Sequence, residues 1–161
     1  MKTFKVETEV KVYPSINELS AEDQNLVKQA REAAKSAYAP YSHFNVGAAL
    51  LLENGVVVKG NNQENAAYPS GICAERVAVF AAGANYPDVK IKTMAVTAFS
   101  SHAKIDSPIT PCGACRQVLS EYETKNSSDI KLILCADCDE IWVLESVKST
   151  LPLLFSSKSL K

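Results

Sequence analysis

The run Phe44 to Leu52, FNVGAALLL, stops at Glu53-Asn54-Gly55 and resumes as Val56-Val57-Val58. Two apolar stretches around an Asn-Gly pair predict an antiparallel hairpin, because these residues tolerate the positive φ angles of a tight turn. Beyond the hairpin the periodicity alternates. Helical periodicity runs from about Ile72 to Asn85, a strand-like run from Ile91 to Phe99, and helical periodicity again from about Cys112 to Thr124. A strand over Ile130 to Cys135 comes next, and Ile141 to Leu144 reads as a short last strand. A hairpin and then alternating helices and strands predict an α/β layered domain with a mixed sheet.

Upstream of the hairpin, Ser20-Ala21-Glu22-Asp23 reads as a helix start, with Ser20 as cap and acids in the first turn. Leu26, Val27, Ala30, Ala33, Ala34 and Ala37 then form a helical stripe up to Ala39-Pro40. Before it, Phe4, Val6, Thr8, Val10 and Val12 alternate with Lys5, Glu7, Glu9 and Lys11, the period of a half-buried strand.

At 161 residues and 47% hydrophobic content, the chain suffices for one domain with a real core and is short for two. Lys plus Arg is 17 and Asp plus Glu is 18. The net charge of −1 lacks the basic excess that phosphate-backbone binding needs, so no nucleic-acid partner is expected. Nor is a membrane partner expected, since no apolar run approaches the roughly 18 residues of a span. The N-terminus alternates where a signal peptide would carry an apolar block. Of five cysteines, four form two C-x-x-C pairs, which suggests reduced thiols or metal ligands and a cytoplasmic protein.

Those cysteines sit at helix starts. Cys112 and Cys115, three apart, share one helix face and could bind one zinc ion. Cys73 opens the earlier helix, with Glu75 two residues on. A helix N-terminus favours the thiolate that zinc requires. If the two starts face each other, three sulfurs converge, and three protein ligands plus a water is the pattern of a catalytic zinc site. Glu75 would then stand beside the water as a proton carrier. Three thiolates leave a zinc ion with excess negative charge, which Arg76 could offset by donating to a thiolate. A rival reading pairs Cys112 and Cys115 with Cys135 and Cys138 as a structural zinc module, since 19 residues separate the two pairs. Against it, Cys115-Arg116-Gln117-Val118-Leu119 reads as helix where a zinc ribbon has tight loops. It also leaves the polar loop GNNQENAAYPSG, Gly60 to Gly71, unexplained.

Cys73-Ala74-Glu75, with Pro111-Cys112-Gly113-Ala114-Cys115 downstream, resembles the zinc-dependent cytidine deaminases, which attack C4 of cytosine with a glutamate as proton carrier. YAPYSHFNVGAALL, NNQENAAYPSGICAER, PCGACRQVLSE and LPLLFSS are similar to the small free-nucleoside type. The resemblance spans roughly residues 26–157 and leaves Met1 to Ser15 unmatched. It implies a three-layer α/β/α fold around a mixed five-stranded sheet. Residues 1–19 would be an N-terminal arm and 20–161 one catalytic domain. It further implies one Zn²⁺ per subunit on Cys73, Cys112 and Cys115, with Glu75 catalytic and Arg76 supporting the metal. Asn62 and Glu64 would hold the ribose hydroxyls, and Phe44 would stack on the pyrimidine. The implied assembly is a homotetramer with shared active sites, to which Phe155 and Tyr68 would contribute. The implied reaction is hydrolysis of cytidine and 2′-deoxycytidine to the uridine products and ammonia. Enzymes that deaminate the antibiotic blasticidin S share this scaffold, so a related cytosine nucleoside is the alternative substrate.

Overall fold

The structure, a computed structural model, describes residues 1–160. Its elements in chain order are β1 (Lys11–Tyr13), α1 (Ala21–Lys35), β2 (Phe44–Leu52), β3 (Val57–Asn61), α2 (Ala74–Asn85), β4 (Ile91–Ser100), α3 (Gly113–Asn126), β5 (Lys131–Leu134) and β6 (Ile141–Leu144). The strands form one sheet in the order β1-β6-β5-β4-β2-β3. Only β4 and β5 pair in parallel, and α3 makes the crossover between them.

The sheet has six strands where five were expected. The sixth is the end of the N-terminal arm, where Lys11, Val12 and Tyr13 pair with Val143, Trp142 and Ile141 of β6. The alternation that predicts a strand from Phe4 onward is real in the sequence, yet a partner only four residues long leaves most of it unpaired. The side chains of Phe4, Val6, Val10 and Val12 are exposed.

Alternation along β2 divides the core. Ala48, Leu50 and Leu52 pack with Ala78, Val79 and Leu119 of α2 and α3. Ala49 and Leu51 pack with Leu26, Val27 and Ala30 of α1. Helices thus cover both faces of the sheet in three layers. Ser20 caps α1 by accepting a hydrogen bond from the Asp23 amide at 3.1 Å. The hairpin loop comprises Glu53, Asn54 and Gly55, closed by the Gly55 amide on Leu52 O at 3.0 Å. Within this loop only Gly55 takes positive φ, at 83°, as in a three-residue loop with glycine last.

Two glycines let the layers close. A Cβ on Gly47 would lie 2.1 Å from the Ala30 carbonyl oxygen of α1. A Cβ on Gly60 would lie 2.4 Å from Ala74 O and 2.5 Å from Ala78 N of α2. No side chain fits either place, so β3 seats the first turn of α2 directly on the sheet.

Candidate active site

Both functional helices come after long loops. The loop from β3 to α2 is stitched to its surroundings. Gln63 and Ile72 exchange backbone hydrogen bonds of 2.9 Å, and Tyr38 accepts from the Glu64 amide at 2.9 Å. Cys73 is the N-cap of α2 and Cys112 the N-cap of α3, both with extended backbone and neither capping through its own side chain. The sulfurs are therefore free to turn toward one another. Cys115, one turn into α3, is fully buried.

The sulfurs of Cys73, Cys112 and Cys115 lie within 4.8 Å of one another, and Cys73 and Cys112 are 3.8 Å apart. Tetrahedral zinc with bonds of about 2.3 Å holds its sulfurs about 3.8 Å apart. The donor set and its spacing therefore fit zinc. Cys73 is held down at about 5, first by its hydrogen bond with Cys115, with further contributions from Arg76 and Cys112 outweighing burial. The same contact, together with burial, pushes the Cys115 thiol up. An Arg76 Nη2 donates to Cys73 Sγ at 3.6 Å, while its Nε is buried without a partner.

These groups open onto a cleft of about 910 Å³. Glu75 lines it although only 3% exposed, and burial raises its carboxyl above the usual range. Phe44, Asn62 and Glu64 line the same cleft. Asn62 is fixed by the start of β2. Its Oδ1 accepts from the Val46 amide at 2.8 Å, and its Nδ2 donates to Phe44 O at 2.9 Å. Glu64 accepts from the amides of Tyr41 and Ser42 at 3.0 and 3.2 Å and from the Ser42 hydroxyl. That hydroxyl is the first cause of its lowered carboxyl pKa. Both side chains line the cleft and keep further hydrogen-bonding capacity.

Tyr68, 76% exposed, lies at the cleft with its ring 6.2 Å from that of Tyr41. Phe155 does not line this cleft. It is 59% exposed, and its carbonyl accepts from Gln117 Nε2 at 3.0 Å. The four-cysteine module does not form. Cys135 is fully buried and donates to Val96 O at 3.3 Å, and Cys138 donates to Glu140 O at 3.6 Å. Among the described residues, the cysteines that gather into a potential metal site are Cys73, Cys112 and Cys115.

The sequence model of the cytidine and deoxycytidylate deaminase zinc-binding region matches residues 20–128. The chain belongs to the cytidine deaminase family. A cytidine deaminase of Halalkalibacterium halodurans is 41% identical over 122 residues, which are 76% of this chain and 88% of that protein. One from Sporosarcina psychrophila is 37% identical over 137 residues, covering 85% and 93%. The 1.6 Å crystal structure of cytidine deaminase from Burkholderia pseudomallei matches with a TM-score of 0.71 at 39% identity, covering 81% of this chain and 97% of that one. In this deaminase, Ser42, Ile109 and Thr110 also line the cleft. Of these, only Ser42, beside an aromatic in YSHF, sits in a stretch that sequence reading singles out.

Proposed function

We propose that the protein deaminates cytidine and 2′-deoxycytidine hydrolytically, yielding uridine or 2′-deoxyuridine and ammonia. The observation that carries this reading is a buried carboxyl, Glu75, sharing one cleft with a three-cysteine cluster and with Asn62 and Glu64. A zinc ion on Cys73, Cys112 and Cys115 would supply the Lewis acid that makes water a nucleophile at neutral pH. Glu75 takes a proton from the attacking water as oxygen bonds to C4, and delivers it to ring N3. It then carries the oxygen's second proton to the 4-amino nitrogen. The C4–N bond breaks, ammonia leaves, and C4 keeps a carbonyl oxygen. A buried carboxyl with a raised pKa suits both accepting and returning a proton.

Phe44 stacks on the pyrimidine. Asn62 and Glu64 hold the ribose hydroxyls, and the Glu64 charge disfavours a 5′-phosphate. Arg76 offsets the thiolate charge. Residues 20–161 act as the catalytic domain, with residues 1–19 as an arm. Phe155, exposed and away from its own cleft, together with Tyr68 at the rim, supports a homotetramer whose subunits complete one another's sites. Among the described residues no helix is long and apolar enough to cross a membrane. Five free thiols suit the reducing cytoplasm.

The test is the ultraviolet absorbance of cytidine with zinc-loaded protein, read together with ammonia. Loss of the cytosine band with one ammonia per cytidine supports the assignment. Turnover of another cytosine nucleoside with none of cytidine would overturn it.

A further inference from the structure

Arg116 comes directly after Cys115 on α3 and makes three hydrogen bonds, one of them to the cleft-lining Thr110. Its Nε donates to Pro111 O at 2.7 Å, Nη1 to Thr150 O at 2.8 Å, and Nη2 to Thr110 Oγ1 at 3.0 Å. Pro111 immediately precedes Cys112 and has no amide hydrogen with which to anchor the turn, so its carbonyl supplies the fixing contact. No side chain caps α3 at this point. One planar guanidinium therefore spans both the turn that carries Cys112 and the C-terminal segment.

That segment is laced along α3 at other points. Gln117 reaches Phe155 O. The fully buried Glu123 carboxylate accepts from Val147 N at 2.7 Å, Lys148 N at 3.2 Å and Ser146 Oγ at 3.0 Å. The N-terminal arm reaches the same segment, where Thr8 Oγ1 donates to Ser149 O at 2.6 Å, one residue from the Arg116 acceptor. Thr8, Thr110, Arg116, Trp142 and Thr150 line one cavity of about 290 Å³. Thr8 lies outside the family match over residues 20–128.

We propose that Arg116 is a positioning residue that braces the Cys112 turn against the C-terminal segment, and that the N-terminal arm extends this brace through Thr8. The proposal rests on the reading that Cys112 is a zinc ligand. Three acceptors at fixed angles require the planar fork of arginine; a lysine ammonium keeps the charge without that geometry. Residues that orient a ligand from outside commonly change metal affinity or activity about 10- to 100-fold when replaced.

The experiment uses full-length, zinc-loaded protein. Zinc release to a chromogenic chelator, kcat and KM for cytidine, and Tm are measured for wild type, Arg116→Lys, Thr110→Val, Thr8→Val and Thr8→Ser. Arg116→Lys is expected to release zinc about 10- to 100-fold faster. Its kcat should fall more than its KM rises, because Phe44, Asn62 and Glu64 stand on other elements. Thr110→Val should move both quantities the same way by less, and it stands in if Arg116→Lys does not fold. Thr8→Val should release zinc a few-fold faster, with Thr8→Ser restoring the wild-type rate. Wild-type zinc release and kcat in Arg116→Lys and Thr110→Val, even with lowered Tm, would overturn the brace. Wild-type release in Thr8→Val would remove the arm from it. A wild-type protein that holds zinc but leaves cytidine intact would defeat the proposed reaction, while the release comparison would still decide the brace.

Discussion

The Arg76 guanidinium stands 3.6 Å from Cys73 Sγ, with its Nε buried and unpartnered. A half-buried cation beside a thiol cluster offsets negative charge where three thiolates would weaken a Lewis acid. Arg76→Gln is expected to keep stoichiometric zinc while turnover falls about 10- to 100-fold. Metal analysis alongside steady-state kinetics checks this; unchanged turnover would remove Arg76 from the chemistry.

Glu75→Gln is expected to retain zinc and to lose activity by roughly 10²- to 10⁴-fold, the usual worth of a positioned acid–base group. Burial raises the folded-state pKa of Glu75. The stability this carboxyl contributes is present in acid, below its unfolded pKa, and is lost as pH rises through the raised folded value. Glutamine has the same shape and never ionises. The zinc-free variant should therefore melt above the zinc-free wild type at neutral pH, with the gap closing near pH 4. Melting curves across that range test both the sign and the window.

The Ser42 hydroxyl holds Glu64 ionised further into acid than an ordinary carboxyl. Whatever this carboxylate contributes is present above its unfolded pKa and is lost as pH falls through the lowered folded value. In Ser42→Ala the carboxyl should protonate at higher pH. KM for cytidine should then climb earlier than in wild type as the solution is acidified, with kcat less affected. Superimposable KM profiles would separate Glu64 from ribose binding.

Cys135→Ser should leave zinc content and activity near wild type, because its sulfur is engaged by Val96 O and lies outside the cluster. Loss of zinc in that variant would revive the four-cysteine arrangement.

Local patterns make much of this molecule legible. The Ser20 cap, the stripe of α1, the Gly55 hairpin and the cysteine-bearing helix starts all depend on residues close in sequence. The extent of the sixth strand is not legible, because its pairing depends on β6, more than a hundred positions away, and β6 offers only a short edge. The grip of Ser42 on Glu64, the Arg116 clamp and the buried Glu123 carboxylate have no sequence signal. Each includes a contact between residues about twenty or more positions apart, made through hydrogen bonds that leave no periodic trace. Resemblance names Asn62 and Glu64, but the backbone groups that hold them become visible only in three dimensions.

α1 begins with a serine that satisfies a first-turn amide, whereas α2 and α3 begin with cysteines that do not. A helix start normally closes its own orphan donors. The α2 and α3 starts lack that side-chain cap, which leaves the Cys73 and Cys112 sulfurs free to hold a metal. The amides of residues 74, 76 and 113–115 are thus natural gauges of occupancy. Their hydrogen-exchange protection should rise and fall with metal and nucleoside while the Ser20 end of α1 stays constant, so local fraying would record how full the site is.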